Sequence, residues 1–108
     1  MGYGVQEPVR GPGGPTFEAL DRREYSVATL NSTQPDYLQL SQNLARGSGG
    51  ACCGDSGGPN FLGAGSTETN TIAAITITGD AMCRATNTVL RLDTQEARAF
   101  LGQYVTLP

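Results

Sequence analysis

The sequence contains no histidine and no lysine, and it also lacks runs of basic residues and long apolar stretches. Each absence excludes a class of function. Without histidine, the three cysteines match no usual zinc-ligand spacing, so we expect no metal and no cofactor. The basic residues are all arginines that form no run, and the formal net charge is -3. The chain therefore offers no electrostatic footprint for nucleic acid. No apolar stretch approaches membrane-spanning length, so we expect no membrane partner.

The beginning of the chain also lacks a secretory signal. Residues 1–4 (MGYG) carry neither a positively charged side chain nor an apolar stretch. Taken alone, this absence predicts a cytoplasmic product.

The residues that are abundant indicate a turn-rich β protein. The chain has 108 residues with 15 glycines and 6 prolines, which suits one compact, mostly β domain over residues 1–108. Alternating apolar and β-branched residues predict six strands. These are residues 1–5, 23–31, 37–41, 59–63, 71–78 and 87–92. Residues 6–16 are rich in proline and glycine and are predicted to form a loop.

The last segment changes its periodicity from two to that of a helix. Asp93 or Thr94 can cap the helix, and Glu96 lies in its first turn. Apolar side chains then recur at helical spacing up to residue 104. We therefore predict a C-terminal helix.

The three cysteines leave their bonding open. Cys52 and Cys53 are adjacent and poorly placed to bond each other, but one of them can reach Cys83 if the fold brings the two loops together. The alternative is three buried, reduced thiols.

The most informative stretch is residues 54–59, which read GDSGGP. A serine hydroxyl is a weak nucleophile unless a base takes its proton, and its attack requires donors for the oxyanion that forms. Gly54, two residues before Ser56, can turn its N–H towards the same point as the serine N–H. The alternative is a glycine-rich loop without chemistry. The chance appearance of the full string in such a chain is on the order of one in 10⁵.

This string resembles the nucleophile loop of the chymotrypsin/trypsin-like serine proteases. Residues 2–4 (GYG) resemble the Gly-x-Gly that opens the second barrel of that family, and residues 87–92 and 94–105 resemble its next strand and its C-terminal helix. The likeness is nearest to bacterial secreted members. It implies an all-β fold, a six-stranded antiparallel Greek-key barrel with a C-terminal helix.

The resemblance also implies roles for individual residues. Ser56 corresponds to the acylating nucleophile, and the N–H groups of Gly54 and Ser56 to the oxyanion hole. Asp55 corresponds to the aspartate that pairs with a buried partner to hold the loop, although it could instead be a simple turn carboxylate. Cys52 and Cys83 correspond to a disulfide that lines the specificity pocket. Cys53 is then an unpaired thiol near the cleft.

The specificity pocket implied by the resemblance has no charged base. Counting back from Ser56 places the base at Gly50, so the aspartate typical of Arg- and Lys-specific enzymes is missing. Asp80 could supply charge, but a solvated loop carboxylate is the simpler interpretation. We expect a pocket for small or apolar side chains. Its residues are Gly50, Ala51, Cys53, Thr78 and Gly79. Residues 76–79 should offer backbone groups to an extended peptide.

The sequence departs from the family in lacking the base that activates the serine. The family takes its histidine and its orienting aspartate from the first barrel. The aspartates of this chain lie in no matching motif; they are Asp21, Asp36, Asp80 and Asp93. We therefore expect a chain that is inactive alone.

Two origins are open for such a chain. It is either the C-terminal half of a secreted serine endopeptidase that lacks its first barrel, or a small non-catalytic module that binds peptide or protein. In the first case its partners are a polypeptide substrate and a first-barrel fragment or upstream segment of the same gene. A structural domain with a chance motif is the third alternative.

Overall fold

A computed structural model describes residues 1–4, 9–11, 14–16, 22–43, 45, 48–52, 54–79, 83 and 85–108. Its elements are mostly strands. They are β1 (Val9–Gly11), β2 (Gly14–Thr16), β3 (Leu30–Thr33), β4 (Tyr37–Ser41), β5 (Pro59–Phe61), β6 (Ile72–Gly79), β7 (Thr86–Arg91) and α1 (Gln95–Leu101). A short 3₁₀ turn at Gly65–Thr67 lies between β5 and β6.

Five strands form one antiparallel sheet in the order β3-β4-β7-β6-β5, while β1 pairs with β2 in a separate hairpin. The central strand β7 is paired along its length, from Thr86 opposite Ser41 to Leu90 opposite Tyr37. Its other side faces β6, with a register shift between Thr76 and Thr78. The sheet thus extends from the cysteine-bearing loops at one end to the C-terminal helix at the other.

The predicted six-stranded closed barrel is wrong, because the sheet is open, with β3 and β5 at its two edges. Closure needs these edges to meet through backbone pairing. Instead β5 has three residues and pairs with β6, and β3 pairs with β4 through a register shift. The coarser prediction of an all-β chain followed by one helix is confirmed within the described residues.

Three sequence-based element assignments also need correction. Residues 1–4 contribute an isolated bridge between Gly2 and Glu24 in place of a strand. Residues 22–29 make no regular ladder, and β3 covers Leu30–Thr33, so it overlaps the strand predicted over residues 23–31 by only two residues. The segment predicted as the first loop contains the β1–β2 hairpin. Alternation of residue types identified strand-like sequence here, but pairing partners decided where ladders form.

Small and polar side chains take up much of the interior of the sheet. Ala74 and Val89 are fully buried, and Ser41, Gln42, Ser48 and Asn87 are buried as well. A cavity of about 950 Å³ lies against this face. Leu38 and Leu40 of β4 line it beside Val89.

The C-terminal helix begins where the sequence predicts. Thr94 is the N-cap, and its Oγ1 accepts a hydrogen bond from the Ala97 amide at 3.2 Å. Phe100 and Tyr104 place their ring centroids 5.4 Å apart, and both rings are exposed. The threonine, and not Asp93, therefore satisfies the first turn.

Asp93 instead pairs with Arg91 at the end of β7. The guanidinium donates through Nε and Nη2 to the two carboxylate oxygens, each at 2.8 Å. This hydrogen bonding from Arg91 lowers the pKa of the Asp93 carboxyl below its ordinary value. Arg91 also donates to the Gln34 carbonyl at 2.8 Å, which ties the β3–β4 turn to β7.

We expect the titration midpoint of Asp93, followed by carboxyl NMR shifts, to lie below that of an ordinary aspartate, and Arg91→Gln to restore it. Because the folded pKa is the lower one, the pairing stabilises the fold above the unfolded pKa. That stability is lost as the pH falls through the folded pKa. The Asp93 side chain is 66% exposed, so the effect on stability should be small. An unchanged midpoint in Arg91→Gln would contradict this assignment.

Candidate active site

The GDSGGP segment forms two consecutive turns that share Asp55. The Asp55 amide donates to the Cys52 carbonyl at 3.0 Å, and the Gly58 amide donates to the Asp55 carbonyl at 2.9 Å. Each turn therefore has four residues, 52–55 and 55–58, and Ser56 occupies the second position of the second turn. This position lifts its side chain out of the loop, where it is exposed.

Both turns require glycine at their third position. Gly54 has a φ of 95° and Gly57 a φ of 83°. A turn with positive φ at this position favours glycine, because a Cβ would be strained there. The spacing of the two glycines around Asp55 and Ser56 thus follows directly from the backbone geometry.

Asp55 holds the loop through both carboxylate oxygens. Its Oδ2 accepts the Cys52 amide at 2.9 Å, and its Oδ1 accepts the amide of the buried Gly4 at 2.8 Å. Any Cβ on Gly4 or Gly2 would overlap this carboxylate. Asp55 is thus both a turn carboxylate and the link between the loop and the first residues of the chain.

Among the described residues, no basic side chain forms a hydrogen bond with the Ser56 hydroxyl. Its Oγ donates to the Ile77 carbonyl at 3.2 Å. A backbone carbonyl accepts a hydrogen bond but does not take up the proton, so this contact leaves the hydroxyl unactivated. The backbone amides of Gly54 and Ser56 donate a hydrogen bond to no acceptor among the described residues. The loop therefore carries an exposed hydroxyl and two N–H donors without an acceptor among the described residues.

Cys52 and Cys83 form a disulfide, with their Cα atoms 5.2 Å apart. This pairing confirms the one that the resemblance implies. It joins the residues just before the GDSGGP segment to the connection between β6 and β7 and closes a loop with a sequence separation of 31. A disulfide indicates an oxidising environment. Cys53 and Asp80 lie outside the described residues.

The predicted pocket residues divide between two surfaces. Gly50 and Ala51 line the cavity, together with Cys52 and Cys83. Thr78 and Gly79 are exposed at the end of β6.

Gln42, to which the sequence analysis assigned no role, lies close to residues of both surfaces, Gly50 and Gly79. It is 1% exposed and packs against Gly50, and its Nε2 lies 3.2 Å from the position of a Cβ on Gly79. The alternation of Leu38 and Leu40, extended by one step, would have placed Gln42 on the interior face.

The end of β6 leaves an open edge beside Ser56. Thr76 exchanges backbone hydrogen bonds with Gly57 and Gly58, at 2.8 and 3.0 Å. Beyond it, Thr78 and Gly79 pair with β7, and the ladder with β5 has already ended at Ile75. In the part of the chain that the structure describes, the outer side of this strand end faces no other strand.

Within the described ranges, no helix is long and apolar enough to span a bilayer. Comparison of the chain with protein-family models, with curated proteins and with solved structures finds no match.

Proposed function

We propose that this chain is the nucleophile-bearing C-terminal portion of a serine endopeptidase that cleaves polypeptides through an acyl-enzyme. The observation that carries the proposal is an exposed Ser56 hydroxyl in a loop where the N–H groups of Gly54 and Ser56 have no acceptor among the described residues. Both residues are exposed, so these donors are open to solvent and available to an anion that forms only during a reaction.

The chemistry divides between this chain and a segment that supplies a base. The Ser56 Oγ attacks the scissile carbonyl carbon while an external histidine takes its proton, and the carbonyl oxygen becomes the oxyanion that the two amides stabilise. Collapse of this intermediate breaks the C–N bond, and the histidine returns the proton to the leaving amine. Water then repeats these steps on the ester and releases the acid. Without the base, the chain alone binds the substrate but does not turn it over at a useful rate.

In this proposal, the open end of β6 aligns the substrate. An extended peptide can add its backbone to Thr78 and Gly79 as a further strand. That placement would bring a carbonyl group close to Ser56, because the Ser56 hydroxyl already lies within hydrogen-bonding distance of the Ile77 carbonyl. The disulfide supports the proposal that the parent protein is secreted.

Ser56→Ala tests the enzymatic proposal in this chain joined to, or mixed with, a histidine-bearing first-barrel segment from the same gene. We expect peptide hydrolysis by the combined protein to fall by at least about 10³-fold, because the nucleophile is lost. Ser66→Ala, at an exposed position in the 3₁₀ turn, is the matched control and should leave turnover unchanged. Turnover that survives Ser56→Ala would rule out the acyl-enzyme.

A peptide-binding module is the second candidate, and the open edge of β6 favours it. In that case the chain binds an extended peptide as an added strand, and binding does not depend on the Ser56 hydroxyl. Peptide affinity of the isolated chain then stays the same in Ser56→Ala, and no first-barrel segment confers hydrolysis.

A further inference from the structure

We propose that Asn60 is a positioning residue for the Ser56 hydroxyl, because it fixes Thr76, the strand residue to which the GDSGGP loop is attached. Asn60 acts through Thr76, so its role differs from that of a catalytic residue. Its importance for turnover rests on the proposed function, whereas its effect on the loop is independent of any activity.

Thr76 is the residue through which β6 holds the loop. Its carbonyl accepts the Gly57 amide at 2.8 Å, and its own amide donates to the Gly58 carbonyl at 3.0 Å. Both of these loop residues follow Ser56 directly in the sequence. The backbone position of Thr76 therefore sets where the serine lies along β6.

The next residue of β6 supplies the hydrogen-bond partner of the serine. The register of β6 against β7 shifts between Thr76 and Thr78, so Ile77 is an additional residue without a counterpart in the ladder. The Ser56 Oγ donates to the Ile77 carbonyl at 3.2 Å. Because a bulge disrupts the ladder locally, the position of this carbonyl depends on how firmly its neighbours are held.

Asn60 holds the side chain of Thr76 on the interior face of the sheet. Thr76 is 8% exposed, and its Oγ1 accepts a hydrogen bond from the Asn60 Nδ2 at 3.0 Å. The same Nδ2 donates to the Ala74 carbonyl at 3.5 Å. Asn60 lies opposite Ala74 in the register of β5 and β6. One carboxamide therefore joins β5 to two successive interior positions of β6.

The buried hydroxyl makes Thr76 sensitive to the loss of this partner. A hydroxyl that is out of contact with water needs a hydrogen bond, and its free energy rises when the donor is removed. Without the Asn60 carboxamide, we expect Thr76 to reorient and its backbone contacts with the loop to loosen. A displacement of about 1 Å at a reacting group can lower the rate by about 10²-fold.

The test follows hydrogen exchange of the Gly57 amide by NMR in the 108-residue chain. We expect Asn60→Ala to accelerate this exchange by about ten-fold or more, because the acceptor of the amide is the Thr76 carbonyl. The amide of the buried Ser41 is the reference. It donates to the Thr29 carbonyl at 2.8 Å, on a strand two positions away from β6, and should exchange at its wild-type rate.

Three further variants and a control test whether the effect passes through the Asn60–Thr76 hydrogen bond. Thr76→Val removes the hydroxyl and keeps the shape, so it should accelerate the Gly57 exchange as Asn60→Ala does. In the double variant the two effects should not add, because both changes remove the same bond. Thr76→Ser keeps the hydroxyl and should keep the exchange slow. Asn70→Ala, at an exposed position before β6, is the matched control and should change neither amide.

The consequence for catalysis is measured in the combined protein that is used to test Ser56→Ala. We expect Asn60→Ala to lower kcat by about 10-fold to 10²-fold and to leave KM nearly unchanged. The reason is that the alignment of the nucleophile matters in the transition state more than in substrate binding.

Each outcome assigns the failure to a different claim. Unchanged Gly57 exchange in Asn60→Ala overturns the positioning role. An equal acceleration at Gly57 and Ser41 overturns it as well, because it indicates a general loss of stability. If Asn60→Ala does not fold, Thr76→Val decides through the same two amides. A wild-type combined protein that hydrolyses no peptide overturns the proposed function, while the exchange rates still decide whether Asn60 holds the loop.

Discussion

Asp55→Ala is expected to release the GDSGGP loop and to lower the free energy of unfolding by about 2–4 kcal/mol. The carboxylate accepts the Gly4 and Cys52 amides at 2.8 and 2.9 Å, and alanine leaves both donors without this acceptor. The two turns share Asp55, so its loss should disturb the positions of Gly54 and Ser56 together. Urea unfolding measures the stability, and ¹⁵N shifts of the loop amides measure the disturbance.

Two further variants separate the role of this carboxylate from a general loss of charge. Asp36→Ala removes an exposed carboxylate in the β3–β4 turn and should leave the loop shifts unchanged. Asp55→Asn keeps one oxygen acceptor but exchanges the other for an amide nitrogen, so its effect should be intermediate. An Asp55→Ala variant as stable as Asp36→Ala, with loop shifts like those of the wild type, would show that Asp55 does not position this loop.

Removing the Cys52–Cys83 disulfide is expected to destabilise the fold by about 3–4 kcal/mol. The estimate follows from the loop-closure entropy that a bond with a sequence separation of 31 removes from the unfolded chain. Cys83→Ser, measured by denaturant unfolding, should show this loss. The wild-type chain unfolded in a reducing agent should show a similar one.

Cys53→Ser is the matched control for the disulfide, because it removes a sulfur and leaves both bonded cysteines in place. We expect it to cost much less stability than Cys83→Ser. If Cys53→Ser were the more damaging of the two, or if the reducing agent had no effect, the contribution assigned to the disulfide would be wrong.

The sequence predicted well those features that depend on neighbouring residues. The cap at Thr94 and the strand Tyr37–Ser41 appear where predicted. Both depend on residue types at neighbouring positions, which the sequence shows directly. The loop of residues 54–59 is local as well: its two turns need glycine where the sequence has Gly54 and Gly57. The Cys52–Cys83 pairing was implied by resemblance, since spacing alone left the partners open.

Features that depend on distant residues were decided by the tertiary structure. The sheet remains open because its edge strands β3 and β5 do not pair with each other. The residues of either strand alone do not predict this. The contact of Asp55 with Gly4 joins residues 51 positions apart. The sequence assigned no role to Gln42, and packing buries it against Gly50. By itself, the sequence determined the turns around Ser56, because these depend on residue type and on neighbouring positions. Which side chains pack beside them depends on strands brought together by folding.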